Sequence, residues 1–333
     1  MKKLAFLFLF LLLLSGCGTQ RKQSAQFFAM DTIMDLTVYG NHPENLQQAS
    51  ELIFSLEHSL SVTDPESELY GLNQEHSAVL SGPAADLLQK ALHFCEKTDG
   101  CLDISIYPVV KAWGFTTGSH QIPSSQKLQS LLASVDYREI RMNGNSVTLP
   151  KTMEIDLGSV AKGFAGDRIL SLMQDQGVTS ALLNLGGNVQ ALGKKPDGSP
   201  FQIGIQDPNA QGYLGVLSIE NEAVITSGGY QRYFVGEDGN TYWHILDPAT
   251  GYPARNGLIS ATAVGPEGAY CDALSTALFI MGPEKAQNFW RQYRDFEMIL
   301  VTDQHRVLIT PGLSHRFTLA EGSQYLEEVI SDD

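Results

Sequence analysis

Residues 271–276 read CDALST and lead into the apolar run ALFIMG. On a helix, Asp272 and Thr276 lie four residues apart on one face, so a carboxylate and a hydroxyl can aim at one point. Oxygen donors of that kind suit Mg2+ or Ca2+ rather than Zn2+. The competing reading is a helix start, because Asp, Ser and Thr satisfy the orphan N–H groups of a first turn. DLGSVAKGFAGDR, 156–168, places an acid and a glycine before a helix that carries Lys162 in its first turns. Free N–H groups, the helix dipole and a lysine together suit a phosphate, while an Asp-capped amphipathic helix with a surface lysine explains the same letters. The Gly-x4-Gly-Lys-Ser/Thr spacing of a P-loop is absent.

Three further stretches carry groups of interest. NLGGN, 184–188, follows a buried-looking strand, and paired glycines there allow a tight turn or close approach of main chain to a ligand. HILDPATGYP, 244–253, puts His244 before an Asp-Pro and Thr-Gly turn, and His is the side chain best poised to take a proton near neutral pH. TSGGYQRY, 226–233, offers Tyr230 and Arg232 to stack on or pair with a ligand, or simply to cover a strand surface.

The elements that must position these groups are read from periodicity. Apolar residues at helical spacing predict helices over 46–60, 87–95, 126–133, 160–174, 273–281 and 284–293. Strand-like segments lie at 32–39, 180–185, 201–205, 216–219, 223–227, 241–246 and 298–302, with a hairpin signal in EDGN at 237–240. A long strand-rich middle argues against a doubly wound parallel sheet, and the fold class expected is α+β. No low-complexity linker or solenoid period divides the chain.

The N-terminus reads MKKLAFLFLFLLLLSGCGTQ: two lysines, an apolar stretch, and LSGC at 14–17. This predicts a signal peptide over 1–16, too short to span a bilayer as a mature helix, and a lipidated Cys17. Several acyl chains on one Cys would hold the protein to a membrane. Residues 17–25 are expected to form the lipidated Cys and a polar tether, and 26–330 the folded domain. Removing 1–16 deletes two of the 22 basic residues and none of the 37 acidic ones, so the net charge becomes 20 − 37 = −17. Such a surface repels nucleic acid, and an anionic ligand would need a cation beside it. The other cysteines, Cys95, Cys101 and Cys271, are odd in number and match no zinc spacing, so no disulfide framework or zinc site is expected.

The order of the motifs resembles the ApbE-type FAD:protein FMN transferases. The matching pieces are FAMDT at 28–32, DPESELYGLN at 64–73, TDGCLDIS at 98–105, PVVKAWGF at 108–115, then DLGSVAKG, NLGGN, SGGYQRY, HILDPATGYP and CDALST. Two letters depart from the common pattern: Asp31 stands where many members have Gly, and Cys271 where Ala often precedes the metal-binding Asp. The resemblance implies an ApbE-like, T-fold-like architecture of mostly antiparallel sheets with packed helices. It also implies an exported lipoprotein that cuts FAD at its pyrophosphate, passes FMN to a Thr hydroxyl of an acceptor protein and releases AMP.

By that resemblance, Asp272 and Thr276 are the Mg2+ side-chain ligands, with Ser275 as an accessory and the Ser159 carbonyl as a third contact. The FAD contacts carried over by motif position are Met30, Ser67, Cys101, Leu102, Asp103, Asp156, Lys162 and Leu246. Met and aliphatic groups can pack a ring face, and Asp103 and Asp156 can accept hydrogen bonds from ring or ribose. His244 is the candidate base for the acceptor hydroxyl, which is a poor nucleophile unaided. Two rival functions share the motifs: a Mg2+-dependent FAD pyrophosphatase giving FMN and AMP, and a lipid-anchored flavin-binding protein without chemistry.

Overall fold

The computed structural model of the chain describes residues 21–40 and 43–332; the expected signal peptide and Cys17 lie outside the described residues. Among those residues nine strands form the main sheet, in the spatial order Lys22–Ala29, Thr32–Tyr39, Ala181–Leu185, Asn188–Leu192, Ala223–Gly228, Leu258–Gly265, Glu297–Thr302, Arg306–Ile309 and Leu326–Val329. All neighbours are antiparallel except the last pair, which is parallel. Its helices are α1 (Pro43–Leu60), α2 (Glu68–Glu75), α3 (Gly82–Lys97), α4 (Tyr107–Trp113), α5 (Ser125–Leu132), α6 (Gly158–Asp175) and α7 (Gly268–Tyr293).

Alternation along the strands builds two apolar layers. Ile225, Ala263 and Leu300 point into the layer shared with Phe164, Leu274 and Phe279 of α6 and α7. Their chain neighbours Val224, Val264, Ile299 and Val301 point the other way, onto Phe201, Leu217 and Phe317 of a three-stranded sheet (Phe201–Gln206, Tyr213–Ile219, Phe317–Leu319). Central strands covered on both faces therefore read as unbroken apolar runs. A third, smaller cluster of Val109, Trp113, Phe115, Leu128 and Leu246 supports the hairpin Tyr233–Val235/Thr241–Trp243, whose turn holds EDGN.

Two expectations are corrected at their edges. The segment read as a tether up to residue 25 enters the sheet at Lys22, where β pairing with Tyr39 begins. Its polar letters conceal it because this edge strand has only one buried residue, Ala29. The strand expected over 241–246 stops at Trp243: one more rung, the His244 N–H to the Arg232 carbonyl, follows it, and Leu246 then bridges to Pro253 instead.

The two helices expected at 273–281 and 284–293 are halves of α7, which breaks at Gly282 (φ 76°, ψ 173°) just before Pro283. Proline cannot donate the helical N–H. Asn256 fills in, its Nδ2 donating to the carbonyls of Phe279 at 2.9 Å and Ile280 at 2.7 Å. The first half of α7 lies against α6 at contact distance. A Cβ on Gly163 would sit 2.2 Å from the Gly268 carbonyl oxygen, and Gln190 Nε2 donates to the Gly163 carbonyl at 2.8 Å. Only glycine permits this approach, and it brings the first turns of α6 beside Asp272.

Candidate active site

A cavity of about 260 Å³ opens where the first turn of α6, the first half of α7, the 186–188 turn and the 244–246 segment meet. Of the residues expected to work together, Cys101, Leu102, Asp103, Asp156, Ser159, Lys162, His244, Leu246, Asp272 and Thr276 line it. Met30, Ser67 and Ser275 do not.

Asp272 is buried, and its Oδ2 accepts the Gly163 N–H at 2.9 Å. In a regular helix that N–H points at the Ser159 carbonyl four residues earlier. Here the Gly163 N–H reaches the Asp272 carboxylate, and Ser159 lines the same cavity. Burial pushes the Asp272 carboxyl up, while Lys162, the Gly163 N–H and the Asn188 amide draw it back down. The Thr276 hydroxyl lies one turn further along α7, 3.3 Å from Ser227 Oγ. A carboxylate, a hydroxyl and a carbonyl make a hard, all-oxygen donor set. Among the described residues no three His, Cys, Asp or Glu side chains converge on a point, so a cation held here would complete its shell with water and phosphate oxygens, as Mg2+ commonly does.

Asp156 stands before α6, with Oδ1 accepting the Gly158 N–H at 2.9 Å. Burial raises its carboxyl, opposed by that N–H, Arg232 and Lys162. Asp103 has less capacity left. Its Oδ1 takes the Ser105 N–H at 2.8 Å and hydroxyl at 2.6 Å, and Oδ2 takes the Tyr137 N–H at 3.2 Å. Burial raises its carboxyl too.

His244 is anchored at the base of the hairpin: its N–H and its Nδ1 both face the Arg232 carbonyl, at 3.1 and 3.2 Å. A carbonyl only accepts, so the proton belongs on Nδ1 and the lone pair on Nε2. Burial, with Arg232 and Lys162 adding positive charge, lowers its pKa to about 4. At neutral pH the ring is neutral and able to take a proton. Arg232 lines the cavity, with Nη2 donating to the Phe115 carbonyl at 2.6 Å, whereas Tyr230 folds over Gly228 and does not line it.

The three residues outside the cavity act on its frame. Ser67 is the N-cap of α2, accepting from the N–H groups of Leu69 and Tyr70 and donating to the Ser59 carbonyl. That helix presents Asn73, whose amide clamps both the N–H and the carbonyl of Ile155 at 2.8 Å, immediately before Asp156. Met30 and Asp31 form the two-residue turn of the first hairpin at φ 48° and 60°. This left-handed geometry would suit glycine at position 31, and Asp, which tolerates it, is accommodated. The Met30 N–H donates to Glu57 Oε1 at 2.7 Å, and the adjoining Thr32 abuts Gly186 of the cavity wall. Ser275 is fully buried behind Thr276.

Sequence reasoning passed over Asn73, Asn188 and Ser227. Asn188 and Ser227 line the cavity from NLGGN and TSGGYQRY, stretches that stood out for their glycines, Tyr230 and Arg232.

Comparison with known proteins identifies the family and the fold. The sequence pattern of the ApbE family matches residues 30–300. A protein of Treponema pallidum named FAD:protein FMN transferase is 31% identical over 341 residues, covering 94% of each chain. A Klebsiella pneumoniae protein of the same name is 33% identical over 301 residues, covering 88% of this chain and 93% of that one. The crystal structure of the ApbE protein of Thermotoga maritima superposes with a TM-score of 0.80 at 27% identity, over 90% of this chain and 97% of that one. The flavin transferase ApbE of Vibrio cholerae shares the fold, with a TM-score of 0.77 at 22% identity. The α+β architecture is thus theirs as well, and the chain belongs to the ApbE family.

Proposed function

We propose that this protein is an FAD:protein FMN transferase that moves the FMN part of FAD onto a Thr hydroxyl of an acceptor protein and releases AMP. The observation that carries the reading is one cavity holding a neutral histidine, a lysine and a hard oxygen donor set, in a chain similar over most of its length to proteins of that name.

Asp272, Thr276 and the Ser159 carbonyl would hold Mg2+, which when bound neutralises pyrophosphate charge as the bridging bond loosens. Lys162 and the first turn of α6 add positive potential for the same phosphates. The acceptor oxygen forms a bond to the FMN phosphorus as the bond to the AMP oxygen breaks. His244 Nε2 takes the hydroxyl proton, and AMP leaves with the electron pair. Leu102, Leu246 and Ile280 give the cavity an apolar wall for the flavin or adenine ring.

The test is mass spectrometry of a Thr-containing acceptor incubated with the protein, FAD and Mg2+. An acceptor heavier by the FMN group, together with AMP, supports transfer. Free FMN and AMP with an unmodified acceptor would make the protein a pyrophosphatase, and intact FAD would make it a binder.

From LSGC at 14–17 we also infer an extracytoplasmic protein held to its membrane by lipid on Cys17. Among the described residues no helix is long and apolar enough to cross a membrane. Cys17→Ser should move the protein from the membrane to the soluble fraction, and retention after a high-salt wash would contradict the anchor.

A further inference from the structure

Three hydroxyls stand in line at the cavity wall, with Thr276 and Ser227 half-buried and lining it and Ser275 fully buried behind them. Thr276 Oγ1 is 3.3 Å from Ser227 Oγ, Ser227 Oγ is 2.8 Å from Ser275 Oγ, and Ser275 Oγ donates to the Asp272 main-chain carbonyl at 2.9 Å. Each hydroxyl has one proton to give and can accept more than once. A carbonyl gives none, so the chain has a fixed end.

Counting protons from that end sets every direction. Ser275 commits its proton to the Asp272 carbonyl, so at the 2.8 Å contact Ser227 must be the donor. Ser227 then has no proton left, and at the 3.3 Å contact Thr276 must be the donor. The Thr276 proton therefore points back into the protein, and its remaining lone pair faces the cavity that Thr276 and Ser227 both line. We propose that Ser227 is a positioning residue for cation binding, and that the relay Thr276→Ser227→Ser275→Asp272 carbonyl holds the Thr276 hydroxyl as an acceptor toward a hard divalent cation.

Without the relay, the Thr276 hydroxyl is free to turn its proton toward the cavity, where it opposes a cation and favours a phosphate oxygen. Ligand orientation by outer partners of this kind commonly carries about 10–100-fold in metal affinity. The relay also gives Ser275 a different part from the accessory ligand expected of it: it is fully buried and sets hydroxyl direction from behind. The fully satisfied chain places a serine of the Ala223–Gly228 strand and three residues of α7 in one hydrogen-bonded unit.

The inference rests on the reading of Thr276 as a cation ligand, and the experiment separates the two. Mn2+ is titrated into the metal-free protein and followed by electron paramagnetic resonance, for wild type, Ser227→Ala, Ser275→Ala, Thr276→Val and the double variant Ser227→Ala/Thr276→Val. The thermal midpoint without metal is measured beside it. Ser227→Ala should weaken Mn2+ about tenfold or more, Thr276→Val at least as much, and the double variant no more than Thr276→Val alone. The thermal midpoints without metal should stay near the wild-type value. Wild-type Mn2+ affinity in folded Ser227→Ala, with Thr276→Val weakened, would overturn the relay and leave the ligand reading standing. Additive losses in the double variant would likewise overturn it. Wild-type affinity in Thr276→Val would overturn both. Should Ser227→Ala not fold, Ser275→Ala removes the fixed end of the relay and must weaken Mn2+ in its place.

Discussion

At the scale of single residues, the base role proposed for His244 separates binding from chemistry. Its Nδ1 and N–H are both committed to the Arg232 carbonyl, which leaves Nε2 as the one ring atom free to receive a proton. Loss of a general base typically costs about 10²–10⁴ in rate. His244→Ala should therefore slow single-turnover transfer to an acceptor by that order while FAD affinity stays within a few-fold. A loss fully explained by weaker FAD binding would make His244 a shaper of the turn before Asp247 instead. Asp272 asks for the opposite control, because its carboxylate also ties down the Gly163 N–H. Asp272→Asn keeps an acceptor oxygen for that N–H and removes the charge, so FAD cleavage in Mg2+ should collapse with a thermal midpoint close to wild type. Cleavage at the wild-type rate would remove Asp272 from the cation site. Both residues were legible in the sequence because each sits in a short motif with spacing that means something locally. Asn73, Asn188 and Ser227 were not, since a buried amide or hydroxyl acquires its role from partners as far as 82 residues away, as Asn73 does from Ile155.

At the scale of elements, the site depends on how closely α6 and α7 approach. Gly163, Gly166 and Gly268 leave no room for a Cβ: one at Gly166 would sit 2.3 Å from Gln190 Nε2, and one at Gly163 2.2 Å from a main-chain oxygen. A side-chain amide can shift, and a packed helix backbone shifts at greater cost. Gly163→Ala should thus destabilise by roughly 1–3 kcal/mol through overpacking and should also weaken cation binding, because separating the helices carries Asp272 away from the Gly163 N–H. Chemical denaturation and Mn2+ titration on the same variant read both; a stability loss with unchanged Mn2+ affinity would uncouple the helix contact from the site. Elements with a strong period were legible, including the whole of Thr32–Tyr39 and both halves of α7. The Leu258–Gly265 strand was not, because ISATAVG is small, buried on both faces and lacks alternation. Lys22–Ala29 was missed for the reverse reason: it is an edge strand with almost no apolar face.

At the scale of the whole molecule, two half-buried groups bend stability with pH in opposite directions. His244 titrates near pH 4 in the fold and near 6.5 in an unfolded chain. Between those values the unfolded chain binds a proton that the fold does not, so this group removes stability as pH falls from 6.5 to 4. Asp167 caps α7 from α6, accepting the N–H groups of Gly268 at 2.6 Å and Ala269 at 2.8 Å, and burial raises its pKa to about 6. Its unfolded value is near 3.9, so between pH 6 and 4 the fold binds the extra proton and gains stability as pH falls. Over that shared window the two effects largely cancel in the wild type. Substitution exposes them singly. Relative to wild type, His244→Gln should gain stability as pH falls from 6.5 to 4, and Asp167→Asn should lose it from 6 to 4, each by an amount on the order of 2 kcal/mol. The other raised carboxyls, Asp103, Asp156 and Asp272, are common to wild type and variants and drop out of the difference. Urea denaturation of the three proteins from pH 4 to 7, in chelator so that no cation reaches the cavity, reads both slopes. Slopes of the same sign would mean that one of these groups does not keep its folded-state charge, and a flat His244→Gln difference would mean that the fold does not hold the ring neutral below its ordinary pKa.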